Sequence, residues 1–168
     1  NTAYINVATG LPFFTTFASN ENPISEGGKF RRLTNPQPDT SADRTGWHDV
    51  KIVGGNAVPA QNAGATGGLP GGDYDDCYTL IPSIVVPNLR IEATVYVGGS
   101  GGQEIELIFR GTDTAGTPGT AALYECLFNV TGQYEWVRWN GARNDFTSKA
   151  QNLSSGITLT TGDRIAAE

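Results

Sequence analysis

The stretch Glu104-Ile105-Glu106-Leu107-Ile108-Phe109-Arg110 decides the fold. Ile105, Leu107 and Phe109 alternate with Glu104, Glu106, Ile108 and Arg110, and a period of two marks a strand with one buried face. The pattern recurs on both sides. Upstream, Leu89 to Val97 sets Ile91, Ala93, Val95 and Val97 on one face and Glu92, Thr94 and Tyr96 on the other. Downstream, Leu123 to Val130 and Tyr134 to Trp139 flank Thr131-Gly132-Gln133, which predicts a hairpin with a tight turn. Gly98 to Gly102 and the Gly/Thr/Pro run from Gly111 to Thr120 separate these strands. Strands at such spacing, with Gly-rich turns, predict an all-β sandwich or barrel.

Further out the signal thins. Cys77 to Ile81 reads as another strand, and Trp47, Val50, Ile52 and Val53 mark a strand or strand pair closed by Gly54-Gly55-Asn56. Residues 33–46 and 62–73 are polar or Gly/Ala/Asn/Pro-rich and read as loops. Residues 1–16, with Tyr4, Ile5 and Val7 in a β-like run, form an N-terminal arm or first strand ahead of a sandwich domain over 17–168. No stretch has helical periodicity; Arg143 to Leu153 comes nearest, and it is short and uneven. The last residues, Arg164-Ile165-Ala166-Ala167-Glu168, follow the turn Thr161-Gly162-Asp163 and open another alternating strand. This predicts last strands that are missing or supplied by another chain, with an unpaired edge suited to assembly.

Composition sets the class. The 168 residues suit one domain; 22 Gly and 9 Pro with only 17% charged residues describe short strands joined by many turns. The net charge of −6 speaks against binding a phosphate backbone, so no nucleic-acid partner is expected. Lys29, Arg31 and Arg32 are too few to make a basic patch. No apolar run approaches the roughly 20 residues that span a bilayer, so no membrane span is expected. Cys77 and Cys126 make neither a disulfide framework nor a zinc site, and free core thiols are the expectation.

Three segments carry a resemblance: Glu104 to Arg110, Tyr124-Glu125-Cys126-Leu127-Phe128, and Val137-Arg138-Trp139-Asn140-Gly141. Together with Asn22-Pro23-Ile24-Ser25-Glu26-Gly27-Gly28-Lys29-Phe30, where an aromatic follows a Gly pair, they resemble the concanavalin A-like lectin/glucanase superfamily. The closer likeness is to laminin-G-like jelly-roll domains of bacterial surface and phage structural proteins. The resemblance covers about residues 17–168. It implies a two-sheet antiparallel jelly-roll sandwich whose concave face often binds glycans, and two more strands after the Gly-Asp-Arg-Ile segment.

Candidate chemistry follows. Glu104 and Glu106 share a strand face with Cα atoms about 6.6 Å apart, and paired carboxylates serve glycoside hydrolysis. Glucanases of the superfamily resemble Glu-x-Asp-x-x-Glu; here Glu106 stands in for Asp and Phe109 occupies the third position, so the acid/base carboxylate is absent and no enzyme is expected. The other readings of the pair are an ion-pair network with Arg110 on the same face and Arg138 reaching it from the hairpin partner, or hydrogen bonding to sugar hydroxyls. The carbohydrate-binding candidates are Glu104, Glu106, Arg110, Glu125, Trp136 and Arg138. Tyr134 and Trp136 share one face while Trp139 takes the other, so at least one of them is core, as is Trp47. Asp73, Asp75 and Asp76 offer oxygen ligands suited to Ca2+, with a solvated acidic turn as the other reading. His48 reads as a lone surface or half-buried histidine, and Asn129-Val130-Thr131 and Asn152-Leu153-Ser154 match the N-glycosylation pattern.

The expectation from sequence is a non-catalytic recognition or structural module. It would bind glycan or decorate a larger extracellular or virion assembly, with glycan or coat subunits as partners. The alternative is a polysaccharide hydrolase or lyase.

Overall fold

The computed structural model describes residues 13–32, 47–60, 77–81, 88–98, 103–113, 121–141 and 145–168. Among the described residues there are eight strands and no helix: β1 (Val50–Val53), β2 (Asn56–Pro59), β3 (Ile91–Thr94), β4 (Glu104–Asp113), β5 (Ala121–Asn129), β6 (Tyr134–Gly141), β7 (Phe146–Asn152) and β8 (Arg164–Ala167). Every ladder between them is antiparallel. The chain is therefore all-β, built from several antiparallel sheets in a manner consistent with a sandwich.

The largest sheet is the meander β4-β5-β6-β7. Its register fixes which side chains share a face, because residues paired across an antiparallel ladder project to the same side. Glu106 pairs Leu127, which pairs Glu135; Ile108 pairs Glu125, which pairs Val137. Leu107 pairs Cys126, which pairs Trp136; Phe109 pairs Tyr124, which pairs Arg138. One face thus carries Glu104, Glu106, Glu125 and Glu135. The other carries Ile105, Leu107, Phe109, Tyr124, Trp136 and Arg138.

Both faces are covered in part, so both contribute to the core. On the second face the β3–β8 ladder sets Ile91 opposite Ala167 and Ala93 opposite Ile165. With Val95, Val97 and Leu159 these side chains pack on Ile105, Leu107, Phe109, Cys126 and Phe128. On the first face Trp47, Tyr78 and Leu80 pack on Ile108, Leu123, Val137 and Trp139. Trp47 is wholly buried, edge-to-face with Tyr78 at 5.2 Å and with Trp139 at 4.7 Å between ring centroids.

Loops hold the outer layer in place. β1 and β2 form a hairpin through Gly54-Gly55, both at positive φ as a two-residue turn demands. Glu21 and Ile24 bond to Ile52 and Val50 along the other side of β1, and Cys77 and Leu80 make single bridges to His48 and Arg31. The expected strand over Cys77 to Ile81 is therefore two isolated bridges, because its partners come from different parts of the chain. In the N-terminal segment Phe30 gathers Phe13 and Phe17, at centroid distances of 5.5 and 6.2 Å, after the turn Ser25–Phe30 closed by Gly27 and Gly28.

β7 replaces the nearest approach to a helix that the sequence offered. Phe-Thr-Ser-Lys-Ala-Gln-Asn is exposed along its whole length, so nothing selects an alternating pattern; the backbone ladder to β6, with Phe146 set 5.1 Å from the Trp139 ring, makes it a strand. A register shift between Trp136 and Val137 leaves Lys149 as its extra residue. At the other end of the chain, Arg164 to Ala167 is the strand expected there, paired with β3. The N-terminal run Tyr4, Ile5 and Val7 and the loops 33–46 and 62–73 lie outside the described residues.

Candidate functional site

The six carbohydrate-binding candidates do not form one site. Glu104, Glu106 and Glu125 lie on one face of the meander; Trp136 and Arg138 lie on the other. Arg138 therefore does not reach the carboxylate pair, because its ladder partner is Tyr124 and Tyr124 pairs Phe109. Arg110 lies where the regular ladder breaks. It sits at φ 53° in a register shift between Phe109 and Thr112, so the pairing that fixes the faces of Glu104 and Glu106 does not extend to it.

Each carboxylate has its own setting. Glu104 is exposed and accepts a bond from Asn129 Nδ2 at 3.4 Å. Glu106 is half-buried. Glu125 is 1% exposed, and its Oε2 accepts the Trp139 indole N–H at 2.6 Å. That makes it a core group that orients Trp139 and not a ligand-facing one. Glu135, overlooked in the sequence, stands two strands from Glu106 across Leu127, with Cα atoms about 10 Å apart. Its presence on that face depends on cross-strand register, which a single strand's alternation does not reveal.

The opposite face holds an aromatic platform. Trp136 lies 5.9 Å from Phe109 and 6.3 Å from Tyr124, with interplanar angles of 31° and 38°. The three rings thus make a shallowly tilted surface running from β4 to β6. Tyr134 continues it at one end, 5.5 Å from Phe128. The β3–β8 layer covers the β4 side, and the β6–β7 side stays open: Trp136, Tyr124 and Tyr134 are half-buried, while Arg138, Thr147 and Ala150 are exposed. Among the described residues the Trp136 indole N–H, the Tyr124 hydroxyl and the Arg138 guanidinium make no hydrogen bond to protein, and none is a buried orphan. Flat apolar rings bordered by unclaimed donors can stack on a pyranose ring and bond its hydroxyls.

Other candidates reduce to structure. His48 is completely buried, contrary to the expected surface or half-buried position, and the neighbouring Asp49 pairs with Arg32 at 2.6 Å. A recess of about 380 Å3 lies between Phe14, Ser19, Glu21, Glu26 and Lys29. Its carboxylates are already committed. Glu21 Oε2 accepts the N–H groups of Ser25 at 2.5 Å and Glu26 at 2.7 Å, which hold its carboxyl below the usual range. Glu26 accepts the Thr15 hydroxyl and lies 3.9 Å from Lys29. Cys77 and Cys126 are half-buried and form no disulfide, and burial with the nearby Glu125 charge pushes the Cys126 thiol up to about 11. Asn129 is 5% exposed and its Oδ1 accepts the Thr131 N–H and hydroxyl, so of the two glycosylation patterns only Asn152 presents its amide to solvent. Asp73, Asp75 and Asp76 lie outside the described residues. Among the described residues no three His, Cys, Asp or Glu side chains converge as a metal would need, and no helix is long and apolar enough to cross a membrane.

No known protein family, curated protein or solved structure matches the chain.

Proposed function

We propose that this chain is a non-catalytic recognition module that holds carbohydrate against the aromatic platform of β4, β5 and β6. The observation that carries the reading is the Phe109–Trp136–Tyr124 surface, whose Trp136 and Tyr124 donors make no hydrogen bond among the described residues. The scaffold is a jelly-roll sandwich of the concanavalin A-like kind, in line with the four-stranded meander and the β3–β8 ladder packed on it. Its place is an extracellular, virion or cell-surface assembly that presents the face to glycans.

Glycan-array binding tests the reading. Trp136→Ala removes the central ring and is expected to abolish binding, with a thermal melt to show that the sheet remains folded; Tyr124→Ala removes a flanking ring and weakens it. A correctly folded wild-type protein that binds no glycan refutes the proposal.

The second reading is a polysaccharide hydrolase, favoured by one observation: Glu135 adds a carboxylate to the face of Glu104 and Glu106. That face has no exposed aromatic beside Glu106 on the neighbouring strand; Leu127 stands there. Reducing-sugar release abolished by Glu106→Gln and Glu135→Gln would establish hydrolysis in place of binding.

A further inference from the structure

The geometry points to a carboxylate-bearing sugar, a uronate, as the ligand of the aromatic platform; this rests on the reading that the platform binds carbohydrate. Charge is partitioned across the meander. The carboxylates Glu104, Glu106, Glu125 and Glu135 of the paired β4–β6 stretches project to the face opposite the platform. On the platform face the ladder rows read Ile105–Phe128–Tyr134, Leu107–Cys126–Trp136 and Phe109–Tyr124–Arg138. Arg138 is the single charged side chain in those rows.

Arg138 is also unengaged among the described residues. Three other described arginines are ion-paired: Arg32 with Asp49, and Arg90 and Arg164 with Glu92. Arg138 forms no ion pair and no hydrogen bond among the described residues. Towards its end of the face, Asp145 Oδ1 accepts from Asn140 Nδ2 at 3.2 Å. Asn140 lies two residues beyond Arg138 on β6, so Asp145 is tied one step further along.

A guanidinium is a planar fork that matches a carboxylate through two parallel N–H···O bonds. Arg138 and Trp136 are two residues apart on one strand face, about 6.6 Å between Cα atoms. A pyranose stacked on the indole would carry a ring carboxylate to the guanidinium within the span of one sugar unit. The net charge of −6 makes general attraction of polyanions unfavourable, so any preference for an anion has to arise at this local spot.

The test is calorimetric titration of the full chain with three probes at low salt: a galacturonate hexamer, a neutral glucose hexamer and poly-glutamate. The expected result is at least tenfold tighter binding of the galacturonate hexamer than of the glucose hexamer. That preference collapses to about one in Arg138→Ala, and Arg138→Lys restores part of it. Equal affinity for the two hexamers overturns the uronate assignment and leaves the carbohydrate reading standing. Binding of neither overturns both. Galacturonate preference that survives in Arg138→Ala, or poly-glutamate bound as tightly as galacturonate, also overturns the assignment, because charge alone or another site would then explain it.

Discussion

Replacing Gly132 with alanine tests how the β5–β6 turn is locked to the segment that crosses it. Gly132 has φ +103°, and a Cβ there would stand 2.8 Å from the Ile157 carbonyl oxygen and 3.3 Å from Ser155 Oγ. Gly156 supplies the control, at φ +74° with open space around its Cβ position. Gly156→Ala meets only the backbone term, about 1 kcal/mol for an L-residue forced into the left-handed region. Gly132→Ala meets that term and also a contact with a backbone atom, so the 155–157 segment has to retreat. The retreat weakens two bonds, Ser155 N–H to the Gly132 carbonyl at 2.9 Å and the Tyr134 hydroxyl to the Ile157 carbonyl at 3.4 Å. At about 1 kcal/mol net per bond the total comes to about 3 kcal/mol. With a urea slope of about 2 kcal/mol/M, the unfolding midpoint falls by about 1.5 M for Gly132→Ala and about 0.5 M for Gly156→Ala. Amide hydrogen exchange at Ser155 accelerates in the first variant only. Equal midpoints in the two variants would refute the argument that this turn is pinned from above.

Two further predictions concern titration. Thr160 N–H and hydroxyl bonds hold Asp163 below the usual carboxylate range, and Arg90 and Arg164 hold Glu92 below it. A depressed folded-state pKa contributes stability that is present above the unfolded value and is lost as pH falls through the folded one. Melting temperature should therefore hold from neutral pH down to about pH 4.5 and decline below it, and Asp163→Asn should flatten part of that decline. Cys126, with its thiol pushed up to about 11 against an ordinary 9.0, holds about a hundredfold less thiolate at pH 8 than an ordinary cysteine. Iodoacetamide labelling followed by peptide mass mapping should find Cys126 slower than free cysteine by at least that factor; equal rates would refute the placement of its sulfur.

The strands legible in the sequence were those with two distinguishable faces. β4, β5 and β6 alternate because each contributes to packing; β4 and β6 run a few residues past their expected ends, and β5 starts two residues early and stops one short of Val130. Val95 and Val97 behave as the alternation from Ile91 requires, packing in the same cluster, although the β3 ladder stops at Thr94. Beyond it, the Val95 N–H turns to the Asp163 carbonyl and the Val97 N–H to Thr161 Oγ1. β7 was illegible because water meets it on both sides, leaving no hydrophobic period to read. The candidate site divided along the same line. That Trp136 and Arg138 share a face follows from their spacing of two. Whether that face is also the one Glu106 occupies depends on the register through β5, where Leu127 faces both Glu106 and Glu135. The Arg110 bulge adds a departure that no alternation foretells.

The distribution of the three indoles gives the molecule its own optical reporters. Trp47 and Trp139 sit sealed in the interior, the latter on the Glu125 carboxylate, whereas Trp136 is half-open on the platform. An aqueous quencher such as iodide therefore reaches the emission of one indole and spares the other two. A ligand laid over the platform would shield that accessible fraction without altering the protected remainder, and loss of the protected fraction would instead signal that the interior itself has opened.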